Sequence, residues 1–149
     1  MLRRLDGKPL SGLLVYRRSE RSLDMEPRPA GGIASLLVND VQIEIDEAGR
    51  LIYVWGHCPH ESWMPARLET PVAKLGRLQY ANAKMVPGVS KRLNADKRWP
   101  VRYDPSSQWL CIGDESVQDC DMIAFAPGAI AALKKGQLAG LWLHPDARG

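Results

Sequence analysis

Val41, Ile43 and Ile45 alternate with Gln42 and Glu44, and after Asp46-Glu47-Ala48-Gly49 a second run, Arg50 to His57, sets Leu51, Tyr53 and Trp55 at the same period of two. Successive side chains of a strand leave opposite faces of the pleat, so this alternation specifies strands with one buried side. Two such runs around a short loop make a β-hairpin. A three-residue loop Glu47-Ala48-Gly49 with Gly49 left-handed puts Asp46 opposite Arg50. It also sets Ile45, Ile43 and Val41 against Leu51, Tyr53 and Trp55 on one side.

The pattern returns near the C-terminus, where Ile130 to Leu133 runs through Lys134-Lys135-Gly136 into Gln137 to His144. Setting Gly49 on Gly136 also sets Leu51 on Leu138, Trp55 on Trp142 and His57 on His144. Two readings stand side by side: an internal duplication, or similar hairpins that recruit similar residues. Between them, Trp99 to Tyr103 and Trp109 to Gly113 flank Asp104-Pro105-Ser106-Ser107-Gln108, which is turn chemistry. A strand is expected at Val89 to Leu93, with a turn at Asn94 to Lys97, and another at Met122 to Phe125 before a bend or bulge at Pro127-Gly128. One helix is predicted over Pro71 to Tyr80, where Val72, Leu75, Leu78 and Gln79 approximate a 3.6 period, Thr70 caps and Pro71 opens the first turn; Gly76 works against it. Residues 1–32, ending in Pro27, Pro29, Gly31 and Gly32, read as a basic, partly disordered arm with one short strand at Leu13 to Arg17. The expected fold is mainly β, a single domain over 33–149 of antiparallel hairpins and meander with one short helix; α+β is the alternative.

The length of 149 residues, with 45% hydrophobic and 25% charged side chains, suits one packed domain. The longest apolar runs, such as Leu13 to Tyr16 and Ala129 to Leu133, fall far short of the roughly 20 residues of a membrane span. Arg3 and Arg4 are not followed by a secretory apolar stretch. Cys58, Cys111 and Cys120 form no CxxC pair, so a reducing, cytoplasmic compartment is expected. The net charge of +3 comes wholly from residues 1–24, where Arg3, Arg4, Lys8, Arg17, Arg18 and Arg21 face Asp6, Glu20 and Asp24. The rest is balanced and carries no global field implying nucleic acid. Within it the signs separate: Lys84, Lys91, Arg92, Lys97, Arg98 and Arg102 lie together, followed by Asp104, Asp114, Glu115, Asp119 and Asp121 with no base up to Leu133. Such segments either pair across strands or face a partner.

His57, Cys58, His60 and Glu61 place four metal-capable side chains in five positions. A structural zinc site also needs ligands from a second place, and Cys111 and Cys120 are nine residues apart, so no metal or cofactor is assigned; His57, Cys58 and His60 remain the metal alternative. A Cys58 nucleophile needs a base from His57, His60 or His144. Adjacent His57 points to the opposite face. No phosphate loop, dinucleotide fingerprint, HExxH or GxSxG is present, and no catalytic residue is assigned. Lys84, Lys91, Arg92, Lys97 and Arg98, interleaved with Trp99 and Tyr103, hold the ingredients of a single-strand nucleic-acid surface, the alternative partner.

A β domain without a catalytic signature is expected to bind one protein partner. Its contact surfaces are the acidic loop with Asp114, Glu115, Asp119 and Asp121, and the loop with His60, Glu61 and Trp63. In size, lack of motifs and strand-rich pattern, with exposed Trp55-Gly56-His57-Cys58-Pro59 and Trp109-Leu110-Cys111-Ile112-Gly113 segments, the chain resembles the bacterial immunity proteins of contact-dependent inhibition and other polymorphic toxin systems. That resemblance implies neutralisation of a cognate toxin domain without turnover. An acidic loop on a rigid sheet suits a basic nuclease cleft, from which the basic 84–102 segment departs.

Overall fold

A computed structural model describes residues 1–81, 86–94 and 97–149. Its strands are β1 (Leu2–Leu5), β2 (Leu13–Arg17), β3 (Ser22–Glu26), β4 (Ala34–Val38), β5 (Val41–Ile45), β6 (Leu51–His57), β7 (Met64–Pro65), β8 (Lys74–Leu75), β9 (Arg77–Tyr80), β10 (Ser90–Arg92), β11 (Val101–Tyr103), β12 (Leu110–Gly113), β13 (Asp121–Ala126), β14 (Ala129–Lys134), β15 (Gln137–Leu143) and β16 (Asp146–Arg148). The helical content of the described residues is one 3-10 turn, His60–Ser62, and no helix there is long and apolar enough to cross a membrane. The protein is mainly β.

Two seven-stranded sheets share a core. The first runs β10-β4-β5-β6-β3-β2-β16 and the second β8-β13-β14-β15-β12-β11-β7; β1 and β9 pair separately. Leu36, Ile43 and Leu51 from the first meet Leu110, Phe125 and Leu141 from the second in one buried cluster. Alternation along each strand supplies that face, and burial at about 25 cal/mol per Å² of apolar surface drives the sheets together.

The two orders are the same. The offset of 87 residues that sets Gly49 on Gly136 carries β2 onto β11, β3 onto β12, β4 onto β13, β5 onto β14 and β6 onto β15. The outermost strands of both sheets, β10 and β16 in one, β8 and β7 in the other, are all added parallel. Register agrees between β3–β6 and β12–β15, where Leu23 pairs with Gly56 as Leu110 pairs with Leu143, and is shifted by one residue between β5–β6 and β14–β15, where Ile43 pairs with Val54 but Ala131 with Leu141. Arg21 and Gln108, also 87 apart, hold the same left-handed turn position at φ 54° and 65°. Tyr16 with Tyr103 and Leu23 with Leu110 extend the identities N-terminally. Of the two sequence readings, duplication fits: the chain is two copies of one five-stranded unit, face to face. The flanking strands are exchanged, since β7 follows β6 of the first unit but pairs with β11, and β16 follows β15 of the second but pairs with β2.

The first hairpin forms with the expected loop. Asp46 and Arg50 form an ion pair at 2.8 Å, and Gly49 has φ 81°, where a Cβ would stand 2.9 Å from the Tyr80 carbonyl oxygen. The register beyond Ile45–Leu51 differs from expectation. An irregularity between Glu44 and Ile45 sets Ile43 against Val54 and Val41 against Gly56, and turns Tyr53 and Trp55 to the outer face beside Glu44 and Gln42. A bulge places two residues opposite one and so flips every later side chain, which alternation alone cannot reveal because Ile52, Tyr53 and Val54 are all apolar.

Two further expectations are corrected. Residues 71–80 contain no helix; they hold β8 and β9, joined through Gly76. Val72 and Leu75 are exposed while Leu78 and Tyr80 are buried, so the real period is two, and Thr70 accepts a hydrogen bond from the Trp109 indole instead of capping. The α+β alternative goes with that helix. Residues 1–32 contribute three strands instead of one: Leu14, Tyr16 and Leu23 enter the core, and Arg17 pairs with Glu26 across the β2–β3 hairpin.

Candidate functional site

Strand exchange creates a cleft at the seam of the two units. β7 brings Trp63 beside Tyr103, and Trp63 packs between the two repeat-equivalent tyrosines, with ring centres 4.8 Å from Tyr16 and 4.9 Å from Tyr103. The Tyr16 hydroxyl donates to the Cys58 carbonyl at 2.8 Å, accepts from the His60 backbone N–H at 3.0 Å and lies 3.2 Å from His60 Nδ1. Burial pushes the Tyr16 phenol up to about 12, so it stays protonated and fixes the 3-10 turn. The cleft has a volume of about 450 Å³, with Pro65, Pro105 and Pro145 on its walls and Arg18 and Arg148 at its mouth. Arg148 is engaged by Asp146 at 2.9 Å; Arg18 makes no ion pair among the described residues.

The structure divides the expected partner surface. His60 and Trp63 enter the cleft, while Glu61 turns outward to Arg21 at 2.6 Å, which holds its carboxyl below the usual carboxylate range. The acidic loop leaves the Gly113 end of β12, whereas Trp63 stacks near the Leu110 end, so the two surfaces do not merge. Asp114 accepts from the Ser116 N–H and pairs with Lys134 at 3.1 Å, contacts that lower its carboxyl; Glu115 faces Arg102 at 3.8 Å. Asp119 and Asp121 are exposed. Arg102–Glu115 is the one ion pair among the described residues that joins the basic and acidic segments.

Lys84 lies outside the described residues. Of the other expected nucleic-acid residues, Lys91 sits over the Tyr80 ring at 5.3 Å, Arg92 donates to the Asn39 carbonyl at 2.6 Å, Arg98 pairs with Asp40 at 3.1 Å and Lys97 is exposed. Trp99 and Tyr103 are partly buried against the core, and Tyr103 is stacked by Trp63 in the seam cleft, apart from the exposed lysines of the segment.

The alternative metal residues diverge. His57 is exposed, Cys58 is buried in the core and His60 engages Tyr16; no three His, Cys, Asp or Glu side chains converge among the described residues. His144 does not reach Cys58, since it stacks on Trp109 at 4.7 Å and contacts the Ser107 carbonyl at 3.1 Å. Burial pushes the Cys58 thiol up to about 11, against a weaker downward pull from Trp63, and the Cys111 thiol up to about 12. Both remain thiols at neutral pH, whereas nucleophilic attack requires thiolate. In the native protein at pH 8, iodoacetamide should alkylate Cys120 slowly and leave Cys58 and Cys111 unmodified until denaturant is added. Mass spectrometry of peptides reads this directly, and native labelling of Cys58 would reopen the thiol reading. The Trp109–Gly113 segment, expected to be exposed, is buried throughout, and of Trp55–Pro59 His57 alone is exposed.

Comparison with protein-family models, curated proteins and solved structures gives no match. The site therefore has to be read from its own chemistry. Tyr16, Tyr103, Arg18 and Arg148 were not singled out from the sequence as partner-binding residues. The signal for the tyrosines was present, because the offset that aligns Trp55 with Trp142 also aligns Tyr16 with Tyr103.

Proposed function

We propose that this protein is a non-enzymatic binding module that seats an extended segment of one protein partner in the seam cleft. The observation that carries this reading is Trp63 held between Tyr16 and Tyr103 in a proline-walled groove. Aromatic-lined grooves take polyproline-type segments because those segments are already extended and lose little entropy on docking. The unpaired Arg18 at the mouth favours an acidic residue beside that segment. In its narrower form, which the resemblance to immunity proteins suggests, the segment belongs to a bacterial toxin domain and binding neutralises the toxin in the cytoplasm.

Selection from a random peptide display library on the immobilised protein tests the reading. Binders should be enriched in proline and in Asp or Glu. Trp63→Ala should abolish selection, and Arg18→Glu, at an exposed position that leaves the core intact, should remove the acidic preference while sparing proline. A wild-type protein that enriches nothing, or a Trp63→Ala protein that enriches the same peptides, would falsify the proposal.

A further inference from the structure

The two seven-stranded sheets end in four edge strands, and an edge offers unpaired N–H and C=O groups to any second chain. Successive residues of a strand turn these groups to opposite sides, so the bonds made inward reveal which residue faces outward. In β7 the Ala66 N–H bonds the Tyr103 carbonyl at 3.0 Å, which leaves Pro65 outward with no N–H to give. In β8 the Gly76 N–H bonds the Ala124 carbonyl at 3.3 Å, which leaves Leu75 outward, and the Arg4 guanidinium occupies the Leu75 carbonyl at 3.0 Å. β10 carries Ser90, Lys91 and Arg92 without a carboxylate, so two copies of that edge repel. Each of these three edges is guarded against self-pairing.

β16 has no such guard. The Arg148 carbonyl accepts from the Arg18 N–H at 3.1 Å, so Asp146 and Arg148 turn their backbone groups to β2 and Ala147 turns its own outward. The Ala147 N–H and carbonyl have no hydrogen-bond partner among the described residues. The repeat sharpens the contrast. Ala147 pairs in register with Tyr16 as Pro65 pairs with Tyr103, so equivalent edge positions hold alanine on one sheet and proline on the other. All three β16 residues are exposed. Asp146 and Arg148 share one face of the strand and pair at 2.9 Å; Glu26, 3.9 Å from Arg148, is already bound by Arg17.

We infer that β16 is a self-association edge, on which a second copy of this chain pairs antiparallel about Ala147. The order Asp-Ala-Arg is its own electrostatic complement when reversed, so each Asp146 meets Arg148 of the other copy across a two-fold axis. Ala147 then exchanges two backbone hydrogen bonds with its counterpart. A three-residue edge makes a small interface, and a dissociation constant on the order of 0.1 to 1 mM is expected.

Sedimentation equilibrium of the full chain over about 10 μM to 2 mM brackets that constant. The wild-type mass should rise from 16.6 kDa toward twice that value. Ala147→Pro copies the Pro65 guard at a position whose N–H β2 does not use, and should stay at 16.6 kDa throughout. Asp146→Arg and Arg148→Asp should each be monomeric alone, because like charges then oppose across the axis, while an equimolar mixture of the two should associate again. A wild-type mass fixed at 16.6 kDa overturns the proposal. Association of Ala147→Pro at wild-type strength does so too, since the contact then lies elsewhere, and a mixture that stays monomeric overturns the antiparallel pairing. No peptide enters the measurement and Trp63 is untouched, so this inference and the seam-cleft reading fail separately.

Discussion

Asn39→Ala should lower the unfolding free energy by about 3 kcal/mol, a large effect for a side chain that touches neither proposed site. Asn39 is 3% exposed and sits at φ 53° in the turn between β4 and β5. Its Oδ1 accepts from Asn94 Nδ2 at 2.7 Å and from the Trp99 N–H at 2.9 Å, and its Nδ2 donates to the Trp99 carbonyl at 3.0 Å. The return contact, Asn39 N–H to Asn94 Oδ1 at 3.1 Å, closes the network. Alanine takes the partners from the half-buried Trp99 N–H and carbonyl, leaves buried Asn94 Nδ2 with only its longer contact to the Lys97 carbonyl at 3.4 Å, and places a Cβ residue in the left-handed region that asparagine tolerates better than most. Asn39→Gly removes the same hydrogen bonds but not the backbone ease, so it should cost less than alanine, and the difference reports the conformational share. Urea unfolding of the three proteins decides this. A loss below about 1 kcal/mol for Asn39→Ala would mean that water replaces the network.

The same network shows where sequence reasoning stops. The hairpin around Gly49 was legible because both its signals are local: period-two alternation, and a loop in which Asp46 bonds the backbone of Ala48 and Arg50. The second hairpin was legible for the same reason, with Lys135 and Gly136 both at positive φ. The predicted 71–80 helix failed because Val72 and Leu75 count as apolar in any periodicity yet face solvent, while the burial of Leu78 is set by β9 pairing with a strand more than 70 positions away. The arm expected at 1–32 was misjudged on composition: Arg17 and Arg18 follow Leu14 and Tyr16, which fill the β2 core positions, and an arginine at a strand end costs little when a partner such as Glu26 is beside it. The seam cleft could not be read at all from local pattern. Trp63 meets Tyr16 and Tyr103 only because β7 and β16 are exchanged between units, a property of topology that leaves no periodic trace.

The largest single loss is expected at Phe125. This is the chain's one phenylalanine, fully buried between the sheets where the first unit has Val38. The exchange of sizes is compensated on the next strand. β14 turns Ala129 and Ala131 into the core at the places where β5 turns Val41 and Ile43, so the second unit provides small residues beside one large ring and the first provides medium ones throughout. Phe125→Ala would add a fourth alanine to Ala126, Ala129 and Ala131 in the same buried cluster. Large-to-small changes lose both the transfer free energy and the contacts around the space left behind, and here about 4 kcal/mol is expected, with Phe125→Leu costing about 1 to 2 kcal/mol. If the ring and the alanines are a matched set, Ala131→Ile should destabilise the wild type by overpacking yet partly rescue Phe125→Ala, giving a coupling of about 1 kcal/mol or more in a double-mutant cycle. Additive losses would show instead that the two sheets settle into the vacated volume, and that the duplicated units need not match their core sizes position by position.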